Sequence, residues 1–509
     1  MAKPQAAKPP RTGPAPAAKV EEFRPARDRV AWLLMAILVL AAGIRLSYLD
    51  GAPPGVYPDE AINGVQGWEA AQTHQFKLFY PENNGREGLL INLIGLTEKL
   101  LGPSPFSLRF WPAMFGTLTV LGMFILARHL FKSDSVALVS ACFLAASFWH
   151  INFSRIAFAG IQAPFFLTWG IGLFLAAQTM RRGYFLAGAG GALFGLGFHS
   201  YAAYRFAPLV AILCFLAVLP KAKPQRRKFV AMIAVWVLCA AGAAAPLGIH
   251  FIHHPADFFG RASQVSIWRS TDPWNTFLNG CVDTLLMFNF RGDRNSRHNI
   301  PGSPQLLLPV GIAFWVGIWI AAKSSAGEKV LGRKVLNPFS LPLWWVLIML
   351  LPEELSSEGI PHALRSIGAV PAVMMLSALG FDRLCRRFNA DPFRGLPLAI
   401  LTLTAAAEVY RYFGIWATDP ATARAFNQDY VAIGREFTAL PPGVPRFLVV
   451  EARGALVPHR NPDGEIKEIP MPAQTVIFET LGHPPVTYLL PGDAQTYMFP
   501  PGAKVATIR

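Results

Sequence analysis

Residues 30–49 read VAWLLMAILVLAAGIRLSYL, a predominantly apolar stretch that decides the class of fold. A helix of about 20 apolar residues is long enough to cross the hydrocarbon core of a bilayer, which is roughly 30 Å thick. Of the 509 residues, 53% are hydrophobic and only 15% are charged, too few polar groups to cover a soluble globule of this size. The sequence therefore predicts an all-α polytopic membrane protein.

Ten further apolar stretches follow, and together they predict about eleven transmembrane helices within a membrane domain of residues 30–416. They are residues 108–131, 135–150, 161–180, 185–201, 206–219, 229–250, 306–322, 339–351, 366–384 and 396–415. Residues 206–219 and 339–351 are the shortest. No small-residue cleavage site follows the first stretch, which we expect to be an uncleaved anchor.

Lysine and arginine fall on alternate loops, and positive residues in short loops stay on the cytoplasmic side. The basic loops are residues 128–132, 181–182, 221–228, 323–334 and 383–394. Residues 1–29 are on the same side and are rich in Pro, Ala and Lys, a composition typical of a disordered cytoplasmic tail. The net charge of +15 therefore indicates membrane topology and contact with anionic lipids, and nucleic acid is not an expected partner.

The long loops are expected on the opposite, extracytoplasmic side. In the first of them, residues 50–107, the patterns at 61–74 and 88–101 predict helices lying in the membrane interface. Residues 417–509 are expected to form a small extracytoplasmic α+β domain with strands at 447–450, 475–478 and 486–490.

Asp59 and Glu60, in Tyr57-Pro58-Asp59-Glu60-Ala61, are two adjacent carboxylates shortly after the first span. A charged side chain at a membrane rim has to be solvated, paired or used in function. A carboxylate can take a proton from a hydroxyl group, so these two residues are candidate catalytic groups. The alternative is a solvated pair of loop acids.

Three other segments combine basic or aromatic side chains on the same side. Residues 291–304, RGDRNSRHNIPGSP, indicate an anion-binding loop, because guanidinium groups match phosphate oxygens; the alternative is a solvated loop. Residues 361–366 and 197–205 are further candidates, against the alternatives of a snorkelling arginine and an interfacial aromatic belt. The candidate side chains are Arg291, Arg294, Arg297, His298, His362, Arg365, His199, Tyr201 and Arg205.

Metal binding stays open at this stage. His250, His253 and His254 share one helical face and have Asp257 nearby, so a metal site is conceivable, although histidines at the end of a span are commonly interfacial. The five cysteines form neither a metal-binding spacing nor a disulfide framework.

In the order and sidedness of these motifs, residues 30–415 resemble the GT-C class of polyprenyl-phosphate-dependent glycosyltransferases. The likeness is to bacterial relatives of the protein O-mannosyltransferases and of the lipid A aminoarabinose transferase. It is carried by YPDEA (57–61), NNGRE (83–87), FSR (153–155), residues 199–205, residues 292–299 and PHALR (361–365). Residues 417–509 lie outside it.

The resemblance implies that Asp59, with Glu60 beside it, deprotonates an acceptor hydroxyl. It also implies that Arg86 and Glu87 handle the donor phosphate or a metal, and that Arg155 joins the substrate-binding set. The resemblance leaves the cofactor open: some relatives bind a divalent metal ion through an acid of the second outer loop, and residues 150–164 of this chain contain no acid.

The resemblance thus implies a multi-pass enzyme of the bacterial inner membrane that transfers a sugar from a polyprenyl-phosphate donor to a hydroxyl acceptor. The acceptor can be a lipid, a glycan or a protein. A flippase of lipid-linked sugars is the alternative. A transporter is expected to carry ionisable residues at span centres, whereas the acids here cluster in loops.

Overall fold

The computed structural model describes residues 27–326, 336–388 and 395–509, and these are mostly helical. The first ten helices are α1 (Arg27–Leu46), α2 (Pro58–Thr73), α3 (Gly88–Leu101), α4 (Pro105–Phe131), α5 (Asp134–Ala146), α6 (Phe148–Ser154), α7 (Gln162–Ala177), α8 (Gly183–Leu196), α9 (Ala207–Ala217) and α10 (Lys223–His253). Ten more follow: α11 (Pro255–Val265), α12 (Pro273–Met287), α13 (Leu308–Ala326), α14 (Leu341–Glu354), α15 (Val370–Phe388), α16 (Leu396–Tyr410), α17 (Pro420–Ala425), α18 (Gln428–Ala439), α19 (Gln474–Glu479) and α20 (Pro491–Thr496). Most of the predicted tail, residues 1–29, lies outside the described residues.

Seven helical segments of the described chain are long and apolar enough to cross a membrane, so this is a multi-span membrane protein. They are Asp28–Leu46, Pro105–Phe131, Ala159–Ala177, Lys223–His253, Leu308–Ser325, Ile367–Arg386 and Leu396–Trp416. Helices α5 and α6, bent by 59° at Ser147, form an eighth if they are counted as one span. The other three predicted spans are the shorter helices α8, α9 and α14, so the count of eleven stays a prediction.

Both helices predicted in the first long loop are present, as α2 and α3. They are connected through the two-stranded ribbon β1 (Phe79–Tyr80) and β2 (Arg86–Glu87). They pack so closely that a Cβ atom on Gly95 would lie 2.0 Å from the carbonyl oxygen of Gly67. The close approach of α2 and α3 at this crossing therefore requires glycine at position 95.

The C-terminal residues fold around a parallel sheet with the order β6-β3-β7. Its strands are β3 (Arg446–Val450), β6 (Val486–Leu489) and β7 (Lys504–Ile508), and β4 (Leu456–Arg460) and β5 (Ile466–Pro470) form a separate hairpin. The strand predicted at 475–478 is wrong, because these residues belong to helix α19. Four consecutive buried apolar or small residues fit a core strand and a buried helix equally well.

This C-terminal unit packs directly on α2. The hydroxyl of Thr475 donates to the carbonyl of Val56 at 3.0 Å, just before α2 begins. The ring of Phe478 fills the space beside Gly64, and Ile62 clusters with Val457 and Met471. Helix α2 is therefore packed against both α3 and α19.

Candidate functional site

The first turn of α2 carries the predicted base. Asp59 is half-buried, and its Oδ1 accepts a hydrogen bond from Nδ2 of Asn83 at 2.7 Å. Asn83 lies in the turn between β1 and β2 with a φ of 51°, a left-handed conformation that asparagine tolerates better than most residues. The ribbon thus presents this amide to the N-terminus of α2.

Arg86 lies on the same side of α2 as Asp59. Its guanidinium donates to the side-chain oxygens of Asn63 and Gln66, which are about one turn apart on α2. Burial lowers the pKa of Arg86 to about 10, while the charges of Asp59 and Glu82 oppose that shift. Arg86 therefore remains a cation at neutral pH and is fixed in the electrostatic field of Asp59.

Glu60 is placed differently from its neighbour. It is fully buried, and its two oxygens accept from Nε and Nη2 of Arg109 at 3.0 and 3.1 Å. The backbone amides of Ala157 and Tyr57 also donate to it, at 2.9 and 3.3 Å. With these partners, Glu60 holds the entry to α2 in place, and its geometry is that of a structural anchor.

Glu87, predicted beside Arg86, faces another part of the chain. Its carboxylate pairs with Nη2 of Arg205 at 3.4 Å, and burial raises its pKa. The guanidinium of Arg205 lies 4.1 Å from the ring centroid of Phe258 and donates to the carbonyl of that residue at 2.7 Å. The structure therefore joins two predicted site residues, Glu87 and Arg205, in one ion pair.

The loop of residues 291–304 is organised by Asp293. Its Oδ2 accepts from the backbone amide of Ala363 at 2.9 Å and lies 3.0 Å from Nδ1 of His298, while its Oδ1 accepts from the amide of Asn295 at 2.8 Å. Asp293 and His298 are both buried. This acid was not among the predicted site residues, although it stands within the predicted loop.

Arg297 brings this loop to the N-terminus of α2. Its guanidinium carbon lies 4.1 Å from the ring centroid of Tyr57, and its backbone carbonyl accepts from Asn152 Nδ2 at 2.9 Å. Burial raises the pKa of Tyr57 to about 12, with Asp59 adding to the shift and Arg297 opposing it. The predicted anion loop and the predicted base are thus neighbours.

His362 and Arg365 complete this side of the site. The rings of His362 and His298 are 4.7 Å apart, and Arg365 donates to Ser356 Oγ at 2.5 Å and to the carbonyl of Glu358. Burial lowers the pKa of both histidines. Asp293 opposes this shift at His298, whereas the guanidinium groups of Arg297 and Arg365 lower the pKa of both. Both imidazoles are therefore neutral at physiological pH.

Two arginines of the loop point into solvent. Arg291 and Arg294 are exposed, and Arg294 makes neither a hydrogen bond nor an ion pair with any other residue that the structure describes. Their guanidinium groups are available to an anionic ligand.

Two further predicted residues, Arg155 and His199, are bonded to backbone carbonyls, and a third, Tyr201, precedes a short turn. Arg155 is buried and donates to the carbonyls of Ile44, Arg45, Tyr48 and Ala52 at 2.6 to 3.1 Å. A ring nitrogen of His199 lies 3.0 Å from the carbonyl of Ala243, and Tyr201 stands at the start of the 3₁₀ turn Ala202–Phe206. In this conformation Arg155 and His199 stabilise the chain entering and leaving the spans.

Arg45 and Arg109 are two buried arginines that support the site through hydrogen bonds and that were not predicted from the sequence. Arg109 donates to the carbonyls of Leu49 and Pro53 at 2.9 and 3.1 Å as well as to Glu60. Arg45 donates to the carbonyls of Leu144 and Ala145 at the end of α5. Both lie inside or at the edge of an apolar stretch, and an ionisable residue within a span is itself a signal of function or of pairing.

Among the described residues, two groups of three side chains have the types and spacing to hold a metal ion. One is Asp293, His298 and His362; the other is His250, His254 and Asp257. Asp59 belongs to neither group.

Comparisons with known proteins agree with this architecture. Residues 90–248 match the family model described as dolichyl-phosphate-mannose-protein mannosyltransferase. No curated protein matches the chain in sequence.

Solved structures extend the comparison over most of the chain. ArnT from Cupriavidus metallidurans in the apo state is 13% identical with a TM-score of 0.55, over 92% of this chain and 87% of that one. The same protein bound to undecaprenyl phosphate gives a TM-score of 0.54 at 13% identity, over 91% and 86%. An archaeal oligosaccharyltransferase, AglB from Archaeoglobus fulgidus in complex with an inhibitory peptide and a dolichol-phosphate, gives 0.50 at 17% identity. That match covers 84% of this chain, which spans only 63% of the length of AglB.

Proposed function

Because the chain has the GT-C glycosyltransferase fold, we propose that it transfers a sugar from a polyprenyl-phosphate donor to a hydroxyl group of an acceptor, with Asp59 as the general base. The observation that carries this proposal is the surroundings of Asp59. Its carboxylate is half-buried in the first turn of α2 and, among the residues that the structure describes, accepts one hydrogen bond, from Asn83, whereas Glu60 has four donors. Asp59 therefore keeps an oxygen that can accept a proton.

In the proposed reaction the acceptor oxygen attacks the anomeric carbon of the donor sugar. A new bond forms between these two atoms, the bond from the anomeric carbon to the phosphate oxygen breaks, and the configuration inverts. The hydroxyl proton passes to Asp59, and polyprenyl phosphate leaves with the electron pair of the broken bond. A positioned base of this kind contributes about 10²- to 10⁴-fold in rate.

The leaving phosphate gains negative charge as its bond breaks, and fixed cations stabilise such charge most when they are already in place. Arg86 is immobilised by Asn63 and Gln66, and Arg297 is stacked on Tyr57, so both are preorganised near Asp59. Arg291 and Arg294 are exposed on the same loop and would meet the phosphate on entry. We assign the donor phosphate to this group of arginines.

We place this reaction at the outer surface of a membrane. The end of the molecule that carries Asp59 and residues 417–509 faces the extracytoplasmic side of a bacterial inner membrane, and about eleven segments cross it. The acceptor is a lipid, a glycan or a protein.

Asp59→Asn tests the role of the base. The change keeps shape and hydrogen bonding but removes the basic carboxylate, so we expect product formation to fall by at least about 10²-fold. Purified protein in lipid is given a polyprenyl-phosphate sugar and candidate acceptors, and both glycosylated product and donor binding are measured. Asp429→Asn, an exposed aspartate of α18, is the matched control and should keep full activity.

Donor binding that is retained in Asp59→Asn assigns the loss to chemistry. Product formation at the wild-type rate by Asp59→Asn contradicts the mechanism. If the wild type moves the donor across the bilayer and forms no product, the protein is a flippase and the proposed transferase activity is wrong.

A further inference from the structure

The corner between α10 and α11 carries a cluster that the proposed reaction does not use. Helix α10 ends at His253, and Pro255 begins α11, so the chain turns at His254. His250 and His254 are one helical turn apart with their rings stacked at 4.6 Å. The turn brings Asp257, in the first turn of α11, to within 2.8 Å of Nε2 of His250.

The three side chains have ligand atoms that all lie within 4.8 Å of one another. Nδ1 of His254 lies 3.2 Å from the carbonyl oxygen of His250. A hydrogen bond to this carbonyl requires the proton on Nδ1, which leaves Nε2 as the atom with a free lone pair. Metal-binding histidines are commonly oriented in this way, by a carbonyl or carboxylate that holds the other ring nitrogen.

We propose that His250, His254 and Asp257 bind a divalent transition-metal ion, with zinc as the best fit. Two imidazoles and one carboxylate are a ligand set that zinc accepts, and a water molecule completes the tetrahedron. The side chains of His250 and Asp257 are 24% exposed, so an ion can reach them from solvent. Glu87 is not part of this site, because its carboxylate is paired with Arg205.

The second group of potential ligands, Asp293, His298 and His362, is a poorer site for a cation. The guanidinium groups of Arg297 and Arg365 act on both of its histidines and would repel a positive ion. Asp293 is also occupied by the backbone amide of Ala363. Among the side chains that the structure describes, no guanidinium group contacts His250, His254 or Asp257.

A metal at this corner would fix the direction in which α11 leaves α10. Phe251 and Phe258, one on each helix, contact each other at 5.3 Å and flank the guanidinium of Arg205 at 5.4 and 4.1 Å. The ion would therefore also steady the Arg205–Glu87 pair without touching either residue.

Metal content is the direct test, and the helix end provides a matched control. His253 stands between the two proposed ligands in sequence but outside the cluster. Full-length protein, His254→Ala and His253→Ala are loaded with zinc, passed through a desalting column and analysed by mass spectrometry for bound metal. We expect about one zinc ion per chain in the wild type and in His253→Ala, and a loss of at least tenfold in His254→Ala, since a tetrahedral site needs all its protein ligands.

A second readout separates binding from misfolding. Cobalt in a four-coordinate site gives visible absorption bands, which should appear in the wild type and in His253→Ala and be absent in His254→Ala and Asp257→Asn. Wild-type protein without stoichiometric zinc after loading, or His254→Ala with as much zinc as His253→Ala, overturns the proposal.

Discussion

The adjacent carboxylates of Asp59 and Glu60, at the start of α2, have different surroundings. We therefore expect substitutions of the two residues to change the free energy of unfolding by different amounts. Glu60 and Arg109 are both completely buried, so removing one partner leaves an uncompensated charge. We expect Glu60→Ala to lower the free energy of unfolding by about 3–5 kcal/mol. Asp59→Asn, by contrast, changes a half-buried group with one hydrogen bond and should cost roughly 1 kcal/mol or less.

Thermal unfolding of the two variants in the same detergent measures this difference. If Glu60→Ala unfolds at the wild-type temperature, the ion pair with Arg109 does not hold the entry to α2.

The two buried, neutral histidines, His298 and His362, predict how stability depends on pH. Burial lowers the pKa of His298 and His362 below the unfolded value of about 6.5. Above pH 6.5 both are neutral in the folded and the unfolded chain, and their contribution to stability is fully present. As the pH falls below 6.5, the unfolded chain takes up protons that the folded protein does not, so stability is lost.

His298→Asn removes one of these groups and keeps a donor near Asp293. The drop in unfolding temperature between pH 7.5 and pH 5.5 should therefore be smaller in His298→Asn than in the wild type. His74→Asn, at an exposed position with a φ of 58°, should match the wild type. If the unfolding temperature falls by the same amount in all three proteins, protonation of His298 does not account for the loss of stability at low pH.

At the level of elements, α2 is positioned by the C-terminal unit as well as by α3. Thr475, on α19, is buried and bonds the carbonyl of Val56 three residues before Asp59. Thr475→Val leaves that carbonyl unpaired, at a cost of about 1–3 kcal/mol. If Asp59 is the base, a displaced α2 also destabilises the transition state. An increase of roughly 1.4 kcal/mol in the activation free energy lowers turnover about tenfold, which is the fall we expect.

Thr438 of α18, a half-buried residue whose hydroxyl donates to the carbonyl of Arg435 within the same helix, supplies the control, Thr438→Val. A lower kcat with an unchanged KM for the donor indicates a shift of the base. An unchanged kcat in Thr475→Val would mean that α19 stabilises the fold without positioning Asp59.

For the whole molecule, the sequence predicted the membrane class and most of the apolar helices, because a span is a local property of about 20 residues. It also named Asp59, Arg86 and Arg297, which the structure brings together around the start of α2. It did not separate Asp59 from Glu60, since that difference depends on Arg109, which is 49 residues away in the chain. The helical state of residues 475–478 and the packing of α19 on α2 likewise depend on contacts more than 400 residues apart.

Orientation in the membrane is the last property to be tested, and it rests on the distribution of Lys and Arg. We expect the end with Asp59 and the C-terminal unit to lie outside. In a variant without native cysteines, Gln75→Cys and Gly443→Cys place thiols at exposed positions of these two regions, and Lys132→Cys places one between α4 and α5 at the other end. Intact cells treated with an impermeant thiol reagent should label the first two positions, and Lys132→Cys should label only after the membrane is opened. The reverse pattern would put Asp59 in the cytoplasm, where the acceptor would have to be sought instead.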